Sequence, residues 1–204
     1  GAYPVGVDLQ LLGLMAVYSF ATSVSPGPNN TVLLTLSARF GQRGALPHLV
    51  GMVVGLSVMV IAMSAGLGAF FAAYPTVYEV MKYVGFAYVL YMAWRIYRAA
   101  IPEAGSEGGK PATVWGATLF QWVNPKAWIV IATFVTAYVP VELGAFSVLI
   151  AVEIFLGFTM PGAIIWVFLG TLMSRWLRTE RSQKVFTTVM ALALVASMVP
   201  VLFL

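Results

Sequence analysis

The chain contains no cysteine. That removes disulfides, thiol nucleophiles and cysteine-bound metals together. Charge is almost as scarce. Asp, Glu, Lys and Arg make up 9% of the residues, against about a quarter in an ordinary soluble domain. A soluble globule is excluded on that ground. There is one histidine, His48, and no HExxH motif, so the usual intramembrane hydrolases lack both their metal and their nucleophile. We expect no enzyme activity, no cofactor and no metal site. The N-terminus has no basic region leading into a cleaved apolar stretch. Its first residue, Gly1, reads as a trimmed end or a cloning scar.

What is present is apolar: 61% of the chain is hydrophobic, gathered in runs that can cross a bilayer. Six spans are predicted, roughly Leu9–Ala38, Ala45–Ala72, Val77–Tyr97, Thr113–Val139, Gly144–Leu172 and Val185–Leu204. The first, second, fourth and fifth run well past about twenty residues, so tilt, interfacial ends or breaks absorb the excess. Trp94, Tyr97, Trp115, Tyr138 and Trp176 fall near span ends, as an aromatic belt does.

The loops alternate in charge. Asp8 precedes the first span. Arg39 and Arg43 lie in the first loop, Glu79 and Lys82 in the second, Arg95, Arg98 and Lys110 in the third. Glu142 lies in the fourth, and Arg175, Arg178, Arg181 and Lys184 in the fifth. The positive-inside rule puts the first, third and fifth loops in the cytoplasm and both termini outside. The net charge of +4 then reports orientation, and nucleic acid is not an expected partner. With an odd number of spans per half, the second half enters from the opposite side, which makes the repeat inverted. The expected architecture is an all-α polytopic membrane protein. Six transmembrane helices form a 3+3 inverted repeat in a single transmembrane domain, residues 1–204. Repeat 1 covers about 8–98 and repeat 2 about 113–204, joined by a cytoplasmic linker at about 99–112. The linker centres on Ile101–Ala112, rich in Pro, Gly, Ser and Glu.

Two apolar segments are interrupted. Ser25-Pro26-Gly27-Pro28-Asn29-Asn30 sits inside the first span. Proline removes an N–H, clashes with the preceding turn and biases its predecessor away from helix. A helix broken at membrane depth is tolerated only inside protein or beside a wet cavity. Pro28 suits the first position of a new half-helix, whose free N–H groups and positive dipole end face what lies there. Asn124-Pro125-Lys126 repeats the pattern in the fourth span, with Asn124 as N-cap and Pro125 as first residue. Pro28 and Pro125 are roughly a hundred residues apart, about half the chain, and such paired breaks point to a transporter site on an internal repeat. The alternative is two unrelated kinks, packed over without a ligand. Paired polar residues at both breaks favour the site.

Two charges fall deep inside spans. At ~1.5 Å per residue, Lys126 and Glu153 both lie near mid-depth. Each costs ~2.5–3.5 kcal/mol to insert unless paired or hydrated. One reading is a structural Lys126–Glu153 ion pair. The other gives Lys126 the carboxylate of a substrate and Glu153 its ammonium or a proton. The substrate-binding candidates are Ser25, Pro26, Gly27, Pro28, Asn29, Asn30, Asn124, Pro125 and Lys126. Glu153 is the proton-coupling or ammonium-binding candidate. Two N-terminal half-helix ends with a lysine suit an anion, and carbonyl ends with Asn29, Asn30 or Glu153 suit an ammonium, so a zwitterion fits both. His48, beside Pro47 at the start of the second span, reads as structural or solvated rather than as a relay. Gly41, Gly44, Gly51 and Gly55 carry small-xxx-small spacings, which serve either a homodimer face or packing within one subunit.

With these motifs the sequence resembles the LysE/RhtB family of bacterial amino-acid exporters. The match runs through Ser25-Pro26-Gly27-Pro28-Asn29, Gly41, Gly44, Gly85, Tyr88, Leu90, Tyr91, Phe120 and Asn124-Pro125-Lys126-Ala127, over essentially the whole chain. The resemblance implies a multi-pass protein of the bacterial inner membrane. It implies export of small neutral amino acids or derivatives, of cysteine/O-acetylserine or threonine/homoserine type, by proton antiport with alternating access. Its partners would be a small zwitterion, protons and membrane lipid. The PGPNN form with Gly51 and Gly55 resembles the cysteine/O-acetylserine branch. Many relatives carry an acid just after the second-span glycine, where this chain has Leu56, so lysine and arginine are weaker substrate candidates. Three alternatives stand beside this: an exporter of basic amino acids, a divalent-metal carrier and a non-transporting scaffold. One intramembrane carboxylate is too few hard ligands for the metal, and a scaffold has no need of mirrored breaks.

Overall fold

Proline and glycine decide where the helices stop and start. The structure, a computed structural model, describes residues 9–98, 112–139, 144–177 and 179–199. The helices are α1 Leu9–Val24, α2 Pro28–Ala62, α3 Gly68–Ala73, α4 Pro75–Arg98, α5 Val114–Val123, α6 Pro125–Tyr138, α7 Ala145–Ser174 and α8 Glu180–Met198. A π turn, Met63–Leu67, joins α2 to α3. Among the described residues every regular element is helical.

α2 is two helices in sequence. Gly41 has φ 69° and ψ −176°, a backbone open to glycine and strained for any side chain. It divides α2 into residues 28–40 and 42–62. The expected first span is thus α1 with the first part of α2, interrupted at residues 25–27. The fourth is α5 with α6, interrupted at Asn124. Helical stretches Pro28–Ala73 and Ala145–Ser174 are long and apolar enough to cross a membrane.

The sixth expected span begins too late. α8 starts at Glu180, because Thr179 and Ser182 form a capping box: Ser182 N–H donates to Thr179 Oγ1 at 3.1 Å and Thr179 N–H to Ser182 Oγ at 3.2 Å. The cap, and not the apolar run, sets the start. Glu79 and Lys82 also differ from their expected loop. Both lie in α4, paired at 3.0 Å, with Lys82 only 6% exposed. Asp8, the linker up to Pro111, Lys110, Glu142, Arg178 and residues 200–204 lie outside the described residues.

The main core gathers Leu33, Met59, Ile131, Phe134 and Phe155, all fully or almost fully buried, where α2, α6 and α7 meet. A second cluster, including Val89, Ala93 and Leu194, joins α4 to α8. In lipid, helices associate through close packing and hydrogen bonds, because lipid tails are as apolar as leucine. Small residues supply the packing. A Cβ on Gly55 would sit 2.6 Å from Gln121 Cγ and 2.9 Å from the Thr118 carbonyl of α5. One on Gly162 would sit 2.8 Å from Ser23 Cβ of α1. Gly51 and Gly55 therefore pack within the subunit. The outer faces carry many large apolar side chains, among them Leu149, Phe168 and Leu192, as a lipid-facing surface does.

Candidate functional site

The first break is tied down by its own asparagine. Asn30 Nδ2 donates to the carbonyls of Ser23 at 2.6 Å and Ser25 at 2.7 Å. These are terminal carbonyls of α1 that its helix cannot satisfy. Gly27 is extended, with φ 177° and ψ 178°. The first amide of α2 bonded to backbone is Thr31 N–H, to Gly27 O at 2.9 Å. The N–H groups of Asn29 and Asn30 have no backbone acceptor among the described residues.

The second break is capped more completely. Asn124 Oδ1 accepts from Lys126 N–H at 3.2 Å, and Asn124 O accepts from Ala127 N–H at 3.0 Å. Of the two N-terminal ends expected to attract an anion, that of α2 presents open amides and that of α6 is largely closed by its cap.

Each break then reaches the other. Lys126 Nζ donates to Ser25 Oγ at 2.7 Å, Ser25 O at 3.2 Å and Pro26 O at 2.7 Å. Those three bonds use every donor of an ammonium and place its charge on the negative end of α1. In return, Asn29 Nδ2 donates to Gln121 Oε1 at 2.7 Å, and Gln121 Nε2 donates to Asn29 Oδ1 at 3.0 Å. His48 Nε2 also lies 3.2 Å from Asn29 Oδ1. The residue after each half-helix proline thus binds the helix that precedes the opposite break.

Between the breaks lies a cavity of about 60 Å³. Gly27, Pro28, Asn29, Asn30, Asn124 and Lys126 line it, together with residues that include Leu56, Phe155 and Thr159. Leu56 and Phe155 make part of the wall apolar. Thr159 is 7% exposed, and its Oγ1 has no hydrogen-bond partner. Most serines and threonines in these helices bond back to a carbonyl of the preceding turn, as Thr35 does to Thr31 O and Thr171 to Val167 O. Thr159 does not. It stands two residues before Pro161 of α7, whose ring removes an N–H from the helix ladder.

Glu153 is not brought to this cavity. It is exposed on α7 and forms no ion pair with Lys126, whose donors go to Ser25 and Pro26. Helix geometry explains it: Ala151 and Phe155 are buried, and a residue two positions from each faces the opposite side. His48, read as structural or solvated, is buried, 2% exposed, and bonded to Asn29.

Gln121, Thr159 and the role of His48 were missed at the level of sequence. Gln121 had a signal, since it is a lone amide in apolar α5, one turn before Asn124 and on the same face. Thr159 had only its closeness to Pro161. His48 had none, because its partner is 19 residues away.

Residues 20–203 match a family described as LysE type translocator. The chain is 29% identical over 187 residues to a cysteine/O-acetylserine efflux protein of Escherichia coli (strain K12), which covers 91% of this chain and 94% of that protein. The protein of that name from Shigella sonnei (strain Ss046) gives the same figures. The one from Escherichia coli O139:H28 (strain E24377A / ETEC) is 28% identical over the same length. No solved structure matches the chain.

Proposed function

The chain belongs to the LysE type translocator family, and from that premise we propose that it exports small neutral amino acids or derivatives, of the cysteine/O-acetylserine type, by alternating access. The observation that carries this is the reciprocal bonding of the two breaks around one cavity. The open amides of Asn29 and Asn30 and the Lys126 ammonium converge where a carboxylate would sit. The carbonyls of Ser25 and Pro26, which Lys126 now occupies, become available to a substrate ammonium when Lys126 swings to the carboxylate. Leu56 and Phe155 supply apolar lining for the side-chain end, and the unpartnered Thr159 hydroxyl supplies a polar contact. That wall suits a short side chain with a hydroxyl, thiol or ester and gives no counter-charge to a second cation.

The cavity is small, so loading requires the breaks to part. In the proposed cycle the Asn29–Gln121–His48 contact and the Lys126–Ser25 contact open in turn, each exposing one side. The proposed frame is six spans in a 3+3 inverted repeat, with both termini periplasmic. Proton antiport belongs to the same reading. We assign the proton to His48, which adjoins Asn29, in preference to Glu153, which faces outward.

Uptake of labelled serine, O-acetylserine, threonine, lysine and alanine into inverted vesicles tests it. Accumulation of the small polar amino acids, driven by a pH gradient, is the expected result. Uptake of none of them, or of lysine alone, defeats it.

A further inference from the structure

A second, larger cavity of about 650 Å³ lies next to the central one. That is within the range of ~300–1,000 Å³ typical of small-molecule sites. Thr35, Arg39, His48, Tyr88, Arg95 and Arg98 are among its lining residues. His48, which lines it, lies 3.2 Å from Asn29, which lines the central cavity.

Its arginines come from two elements. Arg39 ends the first part of α2, and Arg95 and Arg98 lie in the last turn of α4. Each stacks on an aromatic ring: Arg39 on Phe40 at 5.1 Å, Arg95 on Tyr91 at 5.9 Å and Arg98 on Trp94 at 5.4 Å. Among the described residues, none has an ion-pair partner. Arg39 Nε is buried without a hydrogen bond. Like charges held together around a cavity, with a buried donor unused, are relieved by an anion. Positive-inside arginines that only set orientation need neither a cavity nor a buried, unpaired nitrogen.

We propose that this arginine-lined cavity is a second binding site, which takes the carboxylate of an amino acid before it passes the His48–Asn29–Gln121 contact into the central cavity. A guanidinium holds a carboxylate through two parallel N–H bonds. Arg39 and Arg95 supply the guanidinia. The rings of Tyr88 and Phe120, 5.9 Å apart, offer faces to the ammonium. The inference rests on the proposed export of amino acids and names the entry site on the side that loop charge assigns to the cytoplasm.

The test has two arms on the full chain. In the first, purified protein is treated with phenylglyoxal, and modification of Arg39 and Arg95 is read by peptide mass spectrometry. Excess L-serine is expected to slow modification of both by about tenfold, in Lys126→Met as in the parent. In the second, export is measured from each face in vesicles of both orientations. Arg39→Gln is expected to raise the half-saturating concentration about tenfold on the arginine side only, with maximal rate unchanged and with Arg39→Lys partly restoring it. A structural role would lower rate and yield on both sides instead. The proposal is overturned if serine does not protect, if only phosphatidylglycerol in the nanodisc protects, or if Glu103→Gln with Glu107→Gln exposes the arginines by itself. An equal rise on both faces also overturns it. If the parent carries no amino acid while serine still protects, the exporter reading fails and the carboxylate site stands.

Discussion

Gly27 carries no side chain because Lys126 occupies the space. A Cβ there would lie 2.7 Å from Lys126 Nζ and 2.8 Å from its Cδ. Its extended backbone is open to any residue, so the requirement is steric. Both contacts are to a flexible side chain, which can retreat without disturbing the helices. Gly27→Ala is therefore expected to fold at parent yield and to lose at least about tenfold in transport rate. Adding Lys126→Met should cause no further loss, since the same contact is already gone. Additive losses in vesicle assays would separate the two residues. Thr159 gives a sharper sign. An unpaired buried hydroxyl costs about 1–3 kcal/mol, so Thr159→Val should raise thermal stability in detergent. The same change should lower export of hydroxyl- and thiol-bearing substrates while sparing alanine. Reduced stability, or equal loss for every substrate, would show the hydroxyl to be structural.

Between helices, the contact of α2 with α5 carries both packing and alignment. Gly55 lets the Thr118 carbonyl and Gln121 approach, and Gln121 in turn holds Asn29. Gly55→Leu should cost about 1–3 kcal/mol by overpacking and misplace Gln121 as well. Gly13 is the control. Nothing lies within 4 Å of a Cβ built there, so Gly13→Ala in α1 should gain up to about 1 kcal/mol from helix propensity. Melting curves of the two variants check both signs. The half-helices differ in the same physical terms. Asn124 closes the start of α6, and Gly27, with no side chain, leaves the start of α2 open.

In the whole molecule, two questions of orientation and coupling remain testable. The chain has no native cysteine, so single introduced cysteines report sidedness cleanly. Gly105→Cys should react with an impermeant maleimide only from the cytoplasm and Glu142→Cys only from the periplasm; reversal of either would sink the proposed topology. For coupling, export by His48→Gln should lose its response to an imposed pH gradient, and Glu153→Gln should keep it. The groups that share the cavity with His48 are Arg39, Arg95, Arg98 and Tyr88. The opposite pair of results would return the proton to Glu153.

Most helix boundaries were legible in the sequence, because they follow from local chemistry. Pro28 and Pro125 must start helices, and Asn124 is a favoured cap, wherever the rest of the chain lies. Apolar runs bound the helices to within a few residues, except where the Thr179–Ser182 box moved the start of α8 outward. The candidate site was legible only as two broken places at matching positions. Which side chains meet there depends on helix rotation and on partners far along the chain, and neither is local. Lys126 could face Glu153 or Ser25, and pattern alone does not choose. Packing of α7 through Ala151 and Phe155 turned Glu153 outward and left Lys126 to the carbonyls of α1. The contact of α2 with α5 brought His48, Asn29 and Gln121 together, and Thr159 of α7 was left unpaired. Backbone preferences are written residue by residue, so the sequence alone determined the breaks. Rotation is decided by the burial of whole helix faces, so only the tertiary structure determined what the breaks hold.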